Sequence, residues 1–427
     1  MSLTSQLHAL GQAAREAARS LATLSTEQKN RALSTMADEI LASQEEILAA
    51  NEKDLQAGKE KNLNLPLLDR LTLTPARLQE IIKSIHQAAS LPDPVGKILT
   101  EWQREDGLDF QKISVPLGVI GIIYESRPNV TVDAAILCLK AGNACLLRGG
   151  SEAFHTNVAL AAALQRALKK SHLPEASIQL IPTTDRAAIQ VLCEMEQYLD
   201  CLIPRGGKGL IETVVRHARM PVIKHYDGVC AAYIDRDANL EMVSKLIVNG
   251  KCQRPSACNS LETILIHEKI ARAFLTITGK KLFEEGVELR CSSELLSLFP
   301  DALRKNFSSQ IKETCDEDFR TEFLDLTLAL KTVASLQEAV AHIEAHGSHH
   351  SDLIVTENQE TAEQFLRSID SATVYWNAST RFTDGGEFCF GAEIGISTGK
   401  FHARGPMGLA ELTSYKYLIR GQGQVRG

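Results

Sequence analysis

The sequence predicts an α/β protein whose cores are parallel sheets connected by crossover helices. Between residues 113 and 217, short apolar segments rich in β-branched residues alternate with segments of helical periodicity. The same alternation begins again at residue 229 and continues to about residue 355. Strands that alternate with helices at this spacing are typical of βαβ units, in which neighbouring strands run parallel.

The size and composition of the chain predict more than one folded domain. Its 427 residues exceed the ~100–200 residues of a typical domain, and 44% of them are hydrophobic while 23% are charged. The sequence contains no internal repeat and no low-complexity segment. We therefore expect two or three domains with hydrophobic cores, and no long disordered region.

The region before the first strand is predicted to be helical. Residues 5–57 have apolar positions at three-to-four spacing, and Ser25 or Thr26 would cap a second helix. Thr74-Pro75 opens a further helix over residues 75–90, because proline fits the first helical turn. Residues 100–112 are polar and are predicted to form the loop of a hairpin.

The two alternating regions give a definite order of elements. The first region contains strands at 115–124, 144–148, 178–181 and 200–203, and helices at 131–141, 156–170, 186–195 and 208–217. The second begins with a strand at 230–234, a helix at 238–250 and a strand at 261–267. The tail from residue 377 is rich in glycine, as binding loops and subunit-interface loops are.

Charge and hydropathy argue against several classes of function. A net charge of -7 gives no global basic field for nucleic acid or an anionic membrane, so an anionic ligand needs a local basic pocket. No stretch approaches the ~20 apolar residues of a membrane span, and the first residues lack the layout of a secretory signal. We expect a cytoplasmic protein with reduced thiols, and the lack of any Cys-x-x-Cys pair argues against a zinc ribbon.

Two glycine turns, each between a predicted strand and a predicted helix, are candidate phosphate sites. They are Arg148-Gly149-Gly150 and Arg205-Gly206-Gly207. Glycine lets the backbone approach an anion, and the N-terminus of the following helix offers unpaired N–H groups. No P-loop and no complete Gly-x-Gly-x-x-Gly fingerprint is present, so the alternative is a tight structural turn with a solvated arginine.

The segment Lys251–Ser260 contains the candidate nucleophile. It lies between a predicted helix and a predicted strand, where a rigid scaffold presents loop side chains. Cys258 has small or polar neighbours and Arg254 nearby, and a cation lowers the pKa of a thiol. The alternatives are that Cys258 is an inert half-buried thiol, or that Cys252 is the reactive one, although its helix-end position suits packing better.

A histidine cluster offers a metal site as a further alternative. His342 and His346 are four residues apart and share one face of a predicted helix. Their order, His-Ile-Glu-Ala-His, does not match the His-Glu-x-x-His zinc motif. We therefore interpret the cluster, with His349 and His350, as a helix end followed by a loop.

These segments, in their order along the chain, resemble the aldehyde dehydrogenase superfamily. The resemblance spans nearly the whole chain and is strongest for the members that reduce an acyl phosphate of glutamate. It is carried by Val115-Pro-Leu-Gly-Val-Ile-Gly121, Arg127-Pro-Asn-Val-Thr131, Leu147-Arg-Gly-Gly150, Ile203-Pro-Arg-Gly-Gly207, Gln253-Arg-Pro-Ser-Ala-Cys-Asn259, and residues 341–352, 377–386, 391–398 and 402–408.

The resemblance implies an aldehyde dehydrogenase-like fold in three parts. A Rossmann-like cofactor domain would comprise residues 1–99 and 113–228, and an α/β catalytic domain would comprise residues 229–376. Residues 100–112 and 377–427 would form a small oligomerisation element. A homo-oligomer and a functional association with glutamate 5-kinase are also implied.

The implied reaction is the NADPH-dependent reduction of L-glutamyl 5-phosphate to L-glutamate 5-semialdehyde and phosphate. Cys258 would form a thioester, and Asn129 would donate to the oxyanion together with the Cys258 backbone N–H. No metal is implied. The cofactor-binding residues would be Arg148, Gly149, Gly150, Arg205, Gly206, Gly207 and Glu393. The substrate-binding residues would be Lys224, Arg254 and Arg381.

Some positions depart from the superfamily pattern or bear on alternative activities. Cys230-Ala231-Ala232 stands where the family often has Cys-His, and Cys389-Phe390 stands where it often has Gly-Leu. Asp227 is the carboxylate in the region where oxidative members carry a water-activating glutamate, and its shorter side chain favours a phosphate-dependent reductase over an oxidative dehydrogenase. A non-catalytic scaffold and a metal hydrolase are the remaining alternatives.

Overall fold

The computed structural model describes residues 2–224, 227–390 and 393–426. The chain divides into two compact units. The first comprises residues 1–224, 389–395 and 406–427, and the second comprises residues 225–388 and 396–405. Among the described residues, no helix is long and apolar enough to cross a membrane.

The helices and strands follow the chain in three stretches. The first stretch contains α1 (Leu3–Leu21), α2 (Thr26–Ala42), α3 (Gln44–Glu60), α4 (Leu65–Leu71), α5 (Pro75–Ser90), β1 (Ile98–Gln103), β2 (Asp109–Pro116), β3 (Val119–Tyr124), α6 (Asn129–Lys140), β4 (Ala144–Arg148), α7 (Phe154–Lys170), β5 (Ile178–Leu180), α8 (Ala187–Cys193), β6 (Cys201–Arg205) and α9 (Lys208–His217). The second contains β7 (Cys230–Ile234), α10 (Leu240–Cys252), β8 (Leu261–His267), α11 (Ala271–Phe274), α12 (Lys280–Glu284), β9 (Glu288–Cys291), α13 (Ser293–Leu298), α14 (Asp301–Asn306), β10 (Ile311–Glu313), β11 (Thr327–Val333), α15 (Leu336–His346), β12 (Ser351–Val355), α16 (Gln359–Ser368) and β13 (Thr373–Trp376). The third contains β14 (Gly395–Ser397), β15 (Gly405–Met407) and β16 (Thr413–Arg420).

The first unit is built on a four-stranded parallel sheet in the order β5-β4-β3-β6. Every residue of β3 and β4 is buried, because helices cover the sheet and the strands are apolar except for Arg148 at the end of β4. The N-terminal helices start where the sequence predicted: Ser25 accepts from the Gln28 N–H in a capping box at α2, and Pro75 begins α5. The predicted parallel α/β core is therefore confirmed here.

The predicted single strand at 115–124 was wrong, because the chain turns in its middle. Pro116 ends β2, since proline has no N–H for a sheet ladder, and Gly118 has a positive φ of 126°. The Gly118 N–H donates to Asn143 Oδ1 at 2.8 Å. A side chain at this position would overlap the Asp200 carboxylate, so only glycine fits the turn.

A three-stranded antiparallel sheet, in the order β1-β2-β16, contains most of the predicted hairpin loop. The loop between β1 and β2 is short, and β16 pairs with β2 along its whole length, from Thr413 opposite Pro116 to Arg420 opposite Asp109. The glycine-rich tail therefore ends in a strand that its composition did not indicate. The aromatic side chains of Trp102, Tyr415 and Tyr417 are about half exposed on this sheet.

The second unit is a seven-stranded parallel sheet in the order β10-β9-β11-β8-β7-β12-β13. All residues of its central strands β7, β8 and β12 are buried. Two apolar clusters pack against the sheet, one including residues of α10 and the other residues of α15. The second predicted α/β region is confirmed, and the carboxyl end of α10 leads directly into the segment that carries Cys258.

Candidate active site

The nucleophile loop, residues 253–260, connects α10 to β8 in the second unit. Cys258 is half-buried within it. Two backbone bonds shape the loop: the Ala257 N–H donates to Arg254 O at 3.1 Å, and the Ser260 N–H donates to Ala257 O at 2.9 Å. Gly228 packs against the Cys258 peptide so closely that a Cβ at Gly228 would overlap the Cys258 carbonyl oxygen. The loop thus forms a turn, and the segment just before β7, which contains Gly228, packs against it.

Residues far from Cys258 in the sequence hold the loop in place. The buried Asn259 amide donates to Thr383 O at 2.8 Å, and Thr380 Oγ1 donates to Asn259 O at 2.7 Å. The Cys230 thiol donates to Cys258 O at 3.3 Å. The glycine-rich tail and the start of β7 therefore anchor the backbone on both sides of the thiol.

Two arginines that were predicted to bind the substrate lie in or next to the nucleophile loop. Arg254 is exposed, whereas Arg381 is half-buried and donates from Nε to Gln253 Oε1 at 2.8 Å. Burial lowers the pKa of the Arg381 guanidinium, the neighbouring Arg254 lowers it further, and Cys258 opposes the effect. Arg381 Nη1 lies buried with no hydrogen-bond partner among the described residues. Such a nitrogen is unusual, because buried donors are normally paired.

The rival thiol, Cys252, has the environment of a packing residue. It is the last residue of α10 and packs against the hydrophobic core of the second unit. Burial raises the pKa of Cys252 to about 11, so little of it is thiolate near neutral pH. The structure therefore favours Cys258 within this loop.

Asn129, Lys224 and Glu393 are predicted site residues of the first unit. Asn129 opens α6, and its amide donates to Asp133 Oδ2 at 2.8 Å. Burial raises the pKa of Asp133, and the bond from Asn129 opposes that rise. Lys224 and Glu393 are both half-buried. The roles of all three residues stay predictions.

The first unit contains a cavity of about 420 Å³, which lies next to the Arg148-Gly149-Gly150 turn. Arg148 is buried at the end of β4, and its Nη2 donates to Thr184 O at 3.1 Å. Burial lowers the pKa of Arg148, and Glu152 opposes the effect. Arg148 Nε and Glu152 Oε2 are buried without hydrogen-bond partners among the described residues. The lining residues include Glu125, Arg148, Gly150, Ser151, Glu152 and Arg186.

The helix after the first glycine turn is capped by a carboxylate of the chain. The N–H groups of His155 and Thr156, in the first turn of α7, donate to Asp54 at 3.1 and 2.7 Å. These donors were expected to meet a phosphate, and they meet Asp54 because α3 packs against α7. Gly149 is needed for packing, since a Cβ there would overlap the Asn157 amide.

The second glycine turn has a similar arrangement. The Gly207 N–H, at the N-terminus of α9, donates to Glu125 Oε2 at 2.9 Å. A Cβ at Gly206 would overlap the same carboxylate. The Arg205 guanidinium lies against Gly395, where an added Cβ would stand 3.1 Å from Arg205 Cζ. Arg205 is therefore placed beside the tail, and it is not among the residues that line the cavity.

Sequence reasoning missed four charged residues near these sites: Glu125, Glu152, Arg186 and Glu322. The first three line the cavity of the first unit. Glu322 is half-buried in the second unit, and the Gly228 N–H is near enough to its carboxylate to oppose the rise in its pKa. Burial raises the pKa of Glu322. The sequence offered a signal only for Glu125 and Glu152, which lie within a few residues of Asn129 and Gly150.

The histidine cluster forms a packed helix end. The ring of His342 stacks on His346 with centroids 4.2 Å apart and meets Phe319 edge-on at 4.8 Å. Burial lowers the pKa of His342 to about 3, so the ring is neutral. Across residues 2–224, 227–390 and 393–426, no three His, Cys, Asp or Glu side chains are grouped to hold a metal ion.

The fold and the cysteine loop correspond to a known class of enzyme. Residues 2–287 match the model of the aldehyde dehydrogenase family. The chain therefore belongs to the aldehyde dehydrogenase family. The predicted fold class and the prediction of an enzyme are confirmed, and the family acts on small molecules with a nicotinamide cofactor.

Closer similarity covers the full length of the chain. The gamma-glutamyl phosphate reductase of Heliobacterium modesticaldum is 51% identical over 426 residues, which cover 100% of both chains. That of Carboxydothermus hydrogenoformans is 52% identical over 418 residues, 98% of this chain and 99% of the relative. The crystal structure of the Thermotoga maritima reductase has a TM-score of 0.94 at 43% identity and covers 99% of this chain and 100% of that one. Within the family, the chain is thus a member of the gamma-glutamyl phosphate reductases.

Proposed function

We propose that the chain catalyses the NADPH-dependent reduction of L-glutamyl 5-phosphate to L-glutamate 5-semialdehyde and phosphate. Relatives that share about half of its residues carry the name of this activity. The observation that supports the proposal most directly is the buried Arg381 Nη1, which has no partner in the described structure. A buried, unpaired cationic nitrogen beside a candidate nucleophile favours an anionic substrate, and an acyl phosphate is one.

The chemistry begins at Cys258. The thiolate attacks the acyl carbon of the substrate, the bond from that carbon to the phosphate oxygen breaks, and a thioester and inorganic phosphate form. Arg254 and Arg381 stabilise the departing phosphate, because fixed positive charge lowers the energy of a developing anion. Reduction of the thioester gives a thiohemiacetal, whose collapse releases the semialdehyde and restores the Cys258 thiolate.

The cavity of the first unit is the proposed site for NADPH, a phosphorylated dinucleotide. Its volume of about 420 Å³ lies within the usual range for ligand sites, roughly 300–1,000 Å³. Arg148 would pair with the 2′-phosphate and Glu152 would accept a hydroxyl, since each has a buried polar atom without a partner in the described residues. When bound, the cofactor supplies the hydride for the reduction.

Asn129 is proposed as an oxyanion donor on the strength of the resemblance. Its bond to Asp133 fixes the amide in one orientation and uses one of its two N–H groups. A donor of this kind typically contributes about 3–4 kcal/mol to lowering the barrier. Lys224 as a substrate contact, and Glu393 and the Arg205-Gly206-Gly207 turn as cofactor contacts, also remain proposals.

The chain is further proposed to form a homo-oligomer through the sheet β1-β2-β16. Its exposed Trp102, Tyr415 and Tyr417 are large side chains of the kind enriched at interfaces. Replacement of Trp102 by glutamate is expected to dissociate the oligomer, as measured by sedimentation velocity. Association with glutamate 5-kinase rests on the resemblance alone, and a cytoplasmic location rests on the hydropathy pattern of the sequence.

The decisive experiment follows NADP⁺ reduction with glutamate 5-semialdehyde, with and without inorganic phosphate or arsenate. We expect the reaction to require the anion. Asp227 is half-buried near the loop but has a short side chain, and without a general base, usually worth roughly 10²–10⁴-fold, the thioester hydrolyses slowly. Fast NADP⁺ reduction in phosphate-free buffer, with release of free glutamate, would instead identify an oxidative dehydrogenase.

A further inference from the structure

A buried ion pair joins the two ends of the nucleophile loop. Lys251 lies one residue before the end of α10, and Glu262 is the second residue of β8. Lys251 Nζ donates to Glu262 Oε2 at 2.6 Å, and both side chains are fully buried. Near the pair, Ser260 Oγ donates to Gly250 O at 3.2 Å. The bond between Lys251 and Glu262 therefore links the two ends of the loop.

A buried ion pair stabilises a hydrophobic core less well than apolar side chains usually do. Removing two charges from water costs free energy that their attraction repays only in part, and apolar side chains of similar volume are often at least as stable. Burial raises the pKa of Glu262 to about 8 and lowers the pKa of Lys251. Stability alone gives no reason for charges here, whereas a directional bond fixes the distance between two segments.

The pair is also connected to the Cys258 peptide through a second route. Glu322 is close enough to Lys251 and Glu262 to interact with both electrostatically. The Gly228 N–H is near enough to the Glu322 carboxylate to oppose the rise in its pKa, and the Gly228 backbone packs against the Cys258 carbonyl. The ion pair thus links both ends of the loop, and Glu322 interacts electrostatically with the pair and with the Gly228 backbone.

We propose that Lys251 and Glu262 are positioning residues for Cys258. Their bond sets the separation of the loop ends, while Gly228 packs against the Cys258 peptide between them. The direction of the thiol is then fixed before substrate arrives, which is the preorganisation that a covalent nucleophile needs. The turnover readout of this proposal rests on the proposed function, whereas its alkylation readout does not.

Three variants test whether Lys251 and Glu262 position Cys258 or only fill the core. Glu262→Gln keeps the length of the side chain and an acceptor for Lys251 Nζ, so we expect kcat to stay within about threefold of the wild type. Glu262→Asp keeps the charge but shortens the reach, so kcat should fall at least about tenfold with KM nearly unchanged. Lys251→Met/Glu262→Met removes the bond while filling the space, and it should fold with a similar Tm yet lose at least about tenfold in kcat.

The second readout is the rate at which iodoacetamide alkylates Cys258, followed by mass spectrometry with the exposed Cys315 as internal reference. We expect a change of at least about fivefold at Cys258 in Glu262→Asp and in the double variant, with Glu262→Gln and Cys315 unchanged. Wild-type kcat and Cys258 alkylation in Glu262→Asp would overturn the proposal, even if the double variant fails to fold. A wild-type chain inactive with glutamate semialdehyde would refute the proposed function and leave the alkylation comparison valid.

Discussion

The glycine turns of the first unit and the nucleophile loop of the second unit differ in how their polar groups are satisfied. In the first unit, the helix N-termini after both glycine turns are already bound to carboxylates, Asp54 at α7 and Glu125 at α9. In the second unit, Arg381 beside the nucleophile loop keeps a buried nitrogen without a partner among the described residues, as the side chain of Arg148 does in the first unit. A glycine turn thus predicts where backbone donors are accessible but not which anion meets them, whereas an unpaired buried cation indicates a ligand from outside the chain.

The largest expected effect comes from replacing Cys258, the proposed nucleophile of the second unit. Cys258→Ser should lower kcat by at least about 10³-fold, because a hydroxyl without a base is a much weaker nucleophile than a thiolate. Folding and NADPH binding should be retained. The measurement is NADP⁺ reduction with glutamate semialdehyde and phosphate, with NADPH fluorescence titration as the check on binding.

Cys252→Ser is the matched control and should keep most of the activity. The pKa of Cys252 is raised to about 11. As long as the pH stays below that value, each increase of one pH unit raises the thiolate fraction of Cys252 about tenfold. Alkylation of Cys252 should therefore be slow near neutral pH and should accelerate steadily above it. The reverse pattern, with Cys252→Ser inactive and Cys258→Ser active, would move the nucleophile to Cys252.

The next effect tests whether the cavity of the first unit distinguishes cofactors. Arg148→Ala should weaken NADPH by about 1.5–3 kcal/mol more than NADH, the usual value of a hydrogen bond to a charged group. Arg186→Ala is the matched control, since Arg186 lines the same cavity but is exposed. Isothermal titration gives both affinities. Equal losses for the two cofactors would show that Arg148 acts only by holding the Thr184 carbonyl.

Local patterns in the sequence predicted the fold well, and the candidate site less completely. The alternation of strands and helices located both parallel sheets, and the small residues around Cys258 singled out the loop on which the proposed function rests. The residues that hold that loop, Thr380, Thr383 and Gly228, come from segments brought near only by folding. The carboxylates that bind the helix N-termini after the glycine turns were missed for the same reason. Asp54, for example, is about 100 residues away from α7 in sequence.

A smaller effect is expected from the two arginines of the second unit, whose burial differs. Arg381→Gln should raise the KM for phosphate about 10–50-fold, because a half-buried cation pairs with an anion at lower dielectric. Arg254→Gln should raise it no more than about threefold, since Arg254 is exposed and screened by solvent. Initial rates at varied phosphate give both values. Equal effects would show that burial does not determine which cation binds the phosphate.

The smallest expected effect concerns Glu125, whose carboxylate occupies the helix N-terminus that an anionic cofactor group would use. Glu125→Gln keeps an acceptor for the Gly207 N–H but removes a negative charge beside Arg148, so NADPH should bind about 3–10-fold more tightly. The gain should shrink at high ionic strength, because Glu125 is exposed. Glu212→Gln, which removes a charge from an exposed position on α9, should leave the affinity unchanged. Weaker NADPH binding in Glu125→Gln would mean that this carboxylate contacts the cofactor directly, as Arg148 is proposed to do.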